Sequence, residues 1–140
     1  QAIDLVMRKI GRDGGAEVGR LIGEARADLA AGADRLGPSI RPLERAVEAL
    51  ERATAHLLAP ERDETSRLLV ASTYLRLFGL ALGGALLTRG ATAAGEAETR
   101  WGARARVFAE DLAPEAESLA AQILSPDRRI EDYRALAGLA

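Results

Sequence analysis

The chain has 140 residues, enough for one domain around a single core. A formal charge of −2 argues against a nucleic-acid binder, and the absence of cysteine excludes a disulfide framework or a cysteine-ligated metal.

Residues 1–10 place Ala2, Ile3, Val6, Met7 and Ile10 at helical spacing, with no N-cap residue before Gln1. Gly11, Gly14 and Gly15 then break the run. We read 1–10 as the end of a helix belonging to structure upstream and lying outside the bundle, and 11–15 as a Gly-rich joint. From 16 to 31, Val18, Leu21, Ile22, Ala25 and Leu29 form one stripe, with Gly32 as the expected C-terminal glycine. LGPSIRPLE marks a turn, because Pro38 and Pro42 are tolerated before or within a first helical turn. Ile40, Leu43, Val47, Leu50, Thr54 and Leu57 predict a helix over 39–58, with Glu44, Arg45, Glu48, Glu51 and Arg52 opposite.

Pro60 opens the next element, with Glu61, Asp63 and Glu64 placed where the helix dipole favours negative charge. One long helix is expected over 62–94, apolar nearly all round between Leu68 and Leu87 and so central to the bundle. Its uncharged run LFGLALGGALLT has 12 residues, against the roughly 20 that span a bilayer. Over 96–124, Trp101, Ala105, Phe108, Leu112, Ala116, Leu119 and Ile123 recur at intervals of four and three, and Pro114 should bend or split that helix. Ser125 is a candidate cap for a short terminal helix carrying Ile130, Tyr133 and Leu136. No stretch alternates as a strand would. The fold class is therefore all-α: an antiparallel up-and-down four-helix bundle over 16–124, with a short leading helix and a short C-terminal helix or tail over 125–140.

Candidate chemistry is sparse. The sole histidine, His56, stands near a helix end, where a packing or dipole role outweighs catalysis. No Glu-x-x-His pair occurs, so a di-iron bundle is excluded, and no metal-ligating set is expected. Gly79 and Gly83, four apart within a helix, should let another helix approach closely; they are not a phosphate loop, which needs a preceding strand and a following Lys-Ser/Thr. Arg100, Arg104 and Arg106 cluster near Trp101, with Glu96, Glu98, Glu110 and Asp111 expected to pair with them along the helix. Glu115 and Glu117 fall on different faces, which is wrong for a cooperating acid pair. Arg76, beside Tyr74 and Phe78 on the most apolar helix, must snorkel or find an acid. Leu77, Leu80, Leu87 and Phe108 could line an apolar ligand site, but packed Leu and Ala usually leave no such cavity. No catalytic, cofactor-binding or metal-binding residue is assigned.

QAIDLVMRKIGRDGG resembles the continuation of the flavin-proximal motif of acyl-CoA dehydrogenases: Tyr-Glu-Gly-Thr, two residues, Ile, then Gln-Ala-x-Asp-Leu. Gln1, Ala2, Asp4, Leu5, Arg8 and Lys9 carry the match. YLRLFGLALGGALL and ARVFAEDLAPEAESLAAQI resemble two helices of the extra C-terminal domain in a subgroup that includes long-chain and methylthiopropanoyl-CoA dehydrogenases. The chain departs from that pattern at Ala85, at Val107 and Phe108, and at Ala113 before Pro114. The resemblance covers about residues 1–124. It implies an FAD-dependent parent enzyme that oxidises an acyl-CoA to the 2,3-enoyl-CoA and passes electrons to an electron-transfer flavoprotein. Its presumed catalytic Glu would lie upstream of Gln1, and the fragment itself would bind no FAD. The module would dock on the rest of the parent or on its symmetry mate, without nucleic acid or a transmembrane segment. The Arg-over-Lys usage, 18 Arg against Lys9, suits a GC-rich bacterium, and a cytoplasmic location is expected. The alternative is a free-standing helical interaction module.

Overall fold

The structure, a computed structural model, describes residues 1–125 and 128–138. Its elements are α1 (Ala2–Asp4) continuing into a π-helical turn (Leu5–Lys9), α2 (Ala16–Leu36), a 3-10 turn (Gly37–Ser39) and α3 (Ile40–Leu58). They continue with α4 (Glu64–Leu69), α5 (Ala71–Ala94), α6 (Thr99–Asp111), α7 (Glu115–Leu124) and α8 (Arg128–Leu136). The described residues are mostly helical and include no strand, as the fold class requires.

Helix α2 runs past Gly32 to Leu36, which corrects the expected stop. Gly32 is a packing position: a β-carbon there would collide with Thr88 Cγ2 and come within 3.2 Å of Thr92 Oγ1. Termination falls to Gly37, at φ +57°, a left-handed value that glycine adopts without strain, and Pro38 follows. At the other end Asp13 accepts a hydrogen bond from the Glu17 backbone N–H at 2.9 Å, covering one orphan donor of the first turn.

The expected single helix over 62–94 is two. Asp63 caps α4 by accepting from the Ser66 backbone N–H at 2.7 Å. Val70, at φ −108° and ψ 7°, then leaves helical geometry, its N–H contracting onto Arg67 O and Leu68 O. The bend buries Ser66 and Val70 and leaves Leu68 and Leu69 outward. Pro114 splits the last long segment as expected: it has no N–H to donate, Leu112 and Ala113 both donate to Phe108 O, and α7 restarts at Glu115. Residues 126–127, just before α8, lie outside the described residues. Ser125 Oγ donates back to Ala121 O at 3.0 Å.

Chain direction alternates through the bundle. An Arg26–Glu51 ion pair joins antiparallel α2 and α3. Tyr74 meets Thr54, and Gly84 meets Leu43, so α5 runs against α3. Trp101 lies over Gly90, Phe108 over Gly83 and Gly84, and Glu115 pairs with Arg76, so α6 and α7 run back along α5. Asp28 pairs with Arg89, and Arg35 donates to Gly95 O, so α2 and α5 run parallel and in close contact. The section is therefore a rhombus with α5 at its centre, packed on α2, α3, α6 and α7, while α2 meets α6 far less than it meets α5.

The leading segment has partners, contrary to the expectation that it lies outside the bundle. Val6 and Ile10 are 2% and 3% exposed, and the segment packs against α4 and α5. Each buried side chain contributes about 1.5–3 kcal/mol, which offsets part of the entropy cost of ordering the segment. Gly15, at φ +91°, turns the chain beneath Leu58 into α2.

Candidate functional site

His56 stands half-buried near the end of α3, beside a small, partly open cavity of about 20 Å³ that Arg62, Ser66, Ser125 and Arg129 also line. That volume admits one water molecule and no substrate. No group of three or more His, Cys, Asp or Glu side chains capable of holding a metal occurs among the described residues.

Arg76 finds the acid that its apolar helix demands. Its Nε and Nη2 donate to both carboxylate oxygens of Glu115, at 2.7 and 2.6 Å, tying α5 to α7 across the Pro114 break. The guanidinium holds the Glu115 carboxyl below its ordinary pKa, and the carboxylate raises that of Arg76. Glu117 points elsewhere and accepts from Arg52 on α3 at 3.0 Å, so the two acids do fall on different faces. The described carboxyls with displaced pKa values (Asp4, Glu17, Asp63 and Glu115) are all lowered, by Arg partners or by a helix-capping bond. Such groups make weak bases.

The arginine cluster is organised differently from the expectation. No ion pair joins Arg100, Arg104 or Arg106 to Glu96, Glu98, Glu110 or Asp111 among the described residues. Instead the Arg104 guanidinium sits 5.3 Å from the Trp101 ring centre, and Arg106 reaches Arg35 O at 3.5 Å. The Arg100 backbone N–H donates to the Glu98 carboxylate, which caps α6.

The glycines also need reassignment. Gly79 is open, with nothing within 4 Å of a built β-carbon, and Gly83 makes an ordinary contact with Phe108 at 3.6 Å. Close approach happens at Gly84, where a β-carbon would lie 2.6 Å from Leu43 Cδ2, and at Gly90, 2.8 Å from Trp101. Leu77 and Leu80 are buried in the packed core, with Leu87 and Phe108 packed against it, so the apolar ligand site among them is filled by the side chains themselves.

One buried polar contact joins α3 to α5. Thr54 Oγ1 uses its proton on Leu50 O at 2.7 Å, so at 2.7 Å from Tyr74 Oη it must accept from that phenol. Burial pushes the Tyr74 pKa up to about 12. Both groups are enclosed, and the pair fixes the register of two helices.

The clefts of the surface are open grooves. One between α2 and α5 has a volume of about 200 Å³ and includes Leu21, Leu82, Leu86 and the Asp28–Arg89 pair. Another between α2 and α3 measures about 310 Å³ and carries Arg26, Arg41 and Glu44. A flavin dinucleotide needs an enclosed apolar slot for its ring and free donors for its pyrophosphate. Arg26, Arg41 and Arg89 are engaged by Glu51, Glu44 and Asp28, so these residues do not fit it.

A family model described as acetyl-CoA dehydrogenase C-terminal like matches residues 17–133. The chain belongs to this family. The matched span runs from the first turn of α2 into α8, so the terminal helix, unmatched in the sequence resemblance, falls mostly inside the family domain. Comparison with curated proteins and with solved structures finds no match. The described ion pairs and buried polar contacts join helix to helix or turn to turn.

Proposed function

We propose that this chain is the C-terminal helical module of an FAD-dependent acyl-CoA dehydrogenase, in the subgroup that carries such an extra domain. The family match over 17–133 carries the reading. The resemblance of Gln1–Lys9 to the stretch after the flavin-proximal motif supports it from an independent part of the chain. In the parent, FAD accepts the hydride equivalent taken from the acyl-CoA, and an electron-transfer flavoprotein receives the electrons. The presumed catalytic Glu lies upstream of Gln1, and this chain supplies docking and assembly.

On this reading residues 1–10 continue the catalytic body, 11–15 turn the chain, and 16–124 with the tail form the added bundle. Val6 and Ile10, buried against α4 and α5, would then couple the body to the bundle rigidly. A linker without such contacts would let the two move apart. The test is to truncate the parent after Gly15 and compare flavin retention, oligomer mass and turnover with the full-length enzyme. Loss of flavin retention or of assembly is expected. If all three match the full-length enzyme, the docking role is wrong.

A further inference from the structure

Helices α2, α3, α6 and α7 all pack on α5, so the leading segment reaches α5 on the one side they leave open, between α2 and the α6–α7 pair. Ala2–Asp4 pack on α5, and Leu5–Lys9 pack on both α5 and α4. Because α4 precedes α5, the segment runs against the direction of α5. Its far end agrees: Gly11 comes to Leu58 at the end of α3, and the Thr54–Tyr74 contact sets Leu58 about level with Val70. From Gly11 back to Gln1 the helix rises about 15 Å, so Gln1 stands near the level of Gly79. Farther along the same line lies the open groove of about 200 Å³ between α2 and α5. Its apolar lining is Leu21 and Ala25 from α2 with Leu82, Ala85 and Leu86 from α5, and Leu86 is 56% exposed. The charges on its rim are spent within the chain, Asp28 on Arg89 and Glu24 on Arg20. The groove therefore offers an occupant apolar surface and no free charge.

We propose that this groove seats the stretch of the parent chain immediately upstream of Gln1. The leading helix continues backwards along α5 and lays its next turns over Leu82 and Leu86. The inference rests on the parent-enzyme reading and adds to it the surface on which catalytic body and bundle meet. Chain direction selects the occupant, since the helix axis at Gln1 already points along the groove. The packing continues with it: Ala2, Val6 and Ile10, four apart, form the packed stripe of the leading helix, and the second residue before Gln1, one heptad before Val6, extends that stripe. Tethering favours the same occupant, because a segment joined directly to Gln1 competes for the groove at an effective concentration that a free partner does not reach.

The 140-residue chain contains no cysteine, so Leu86→Cys places its only thiol in the groove. In that chain the thiol should react readily with N-ethylmaleimide. In the full-length parent the same residue, followed by mass spectrometry of its peptide, should react at least about ten-fold more slowly, because thiol reactivity follows exposure. A cysteine at the second residue before Gln1 should form a disulfide with Leu82→Cys or Leu86→Cys in the parent, within the roughly 7 Å Cα separation that the bond tolerates. The product should keep the mass of one chain under denaturing conditions. Equal labelling of Leu86→Cys in parent and 140-residue chain overturns the proposal. So does failure of both disulfides, or a covalent pair of chains through Leu86→Cys alone, which would seat a second copy in the groove. The parent-enzyme reading is judged separately, on the coding sequence upstream of Gln1. A parent that carries the Glu-bearing motif but labels like the 140-residue chain loses this inference and keeps that reading; a frame without the motif loses both.

Discussion

Replacing Gly32 by alanine isolates what the α2–α5 contact demands. In an exposed helix the change stabilises by about 1 kcal/mol, because glycine loses more backbone freedom on folding. At Gly32 the new methyl would collide with Thr88 Cγ2. Thr88 is fully buried, β-branched, and bound through Oγ1 to Gly84 O at 2.9 Å, so it cannot rotate away without losing that bond. Overpacking of this kind costs about 1–3 kcal/mol, and the broken hydrogen bond about 1 kcal/mol more. The sum is a net loss of about 1–3 kcal/mol, or a Tm lower by about 3–9 °C for a domain of this size. Gly23→Ala is the control: it lies in the same helix with nothing within 4 Å, and should raise Tm by about 2–3 °C. Thermal melts followed by circular dichroism distinguish the pair. If Gly32→Ala raises Tm as much as Gly23→Ala does, the close parallel packing of α2 on α5 is wrong.

Tyr74→Phe removes one buried donor while Thr54 keeps its bond to Leu50, so a loss of about 1 kcal/mol in urea unfolding is expected; no change would place the phenol in water. Because folding raises the Tyr74 pKa from 10 to about 12, its contribution is complete below pH 10 and is lost as pH rises toward 12. A phenolate absorbance step near pH 10 for Tyr74 in the folded protein would contradict this. The carboxyls of Asp4, Glu17, Asp63 and Glu115 have folded pKa values below their ordinary ones. Their stabilisation is therefore present above the ordinary carboxylate range and lost as pH falls through the lowered values; Tm should hold steady near neutrality and drop below about pH 4. The purified chain should be colourless and show no acyl-CoA-dependent dye reduction; stoichiometric flavin would contradict the assignment of the site to structure upstream.

Periodicity sufficed for the bundle because each core stripe is written plainly: Ile40, Leu43, Val47, Leu50 and Leu57 are all buried in α3. Arg76 was legible too, since a cation on so apolar a helix needs a partner, though nothing local identifies Glu115, 39 residues away. Glycine was the ambiguous letter. Gly32 and Gly37 look alike in sequence, yet one is a packing contact set by Thr88 on another helix and the other a chain reversal. Gly79, Gly83 and Gly84 differ only in which side of α5 they occupy, and a helix apolar all round gives no period to orient it. The break at Val70 was hidden for the same reason: backbone geometry there answers to the leading segment and α4, a long-range contact with no local signature. Trp101 could have been placed by the small residue it needs opposite, Gly90, had the pairing of α5 with α6 been known.

The central claim, that this bundle is one module of an acyl-CoA dehydrogenase, is tested most directly by reading the coding sequence upstream of Gln1. The account predicts an open frame continuous with this one, in which Tyr-Glu-Gly-Thr, two residues and Ile immediately precede Gln1. A stop codon in that frame, or a continuous frame without the Glu-bearing motif, would contradict it.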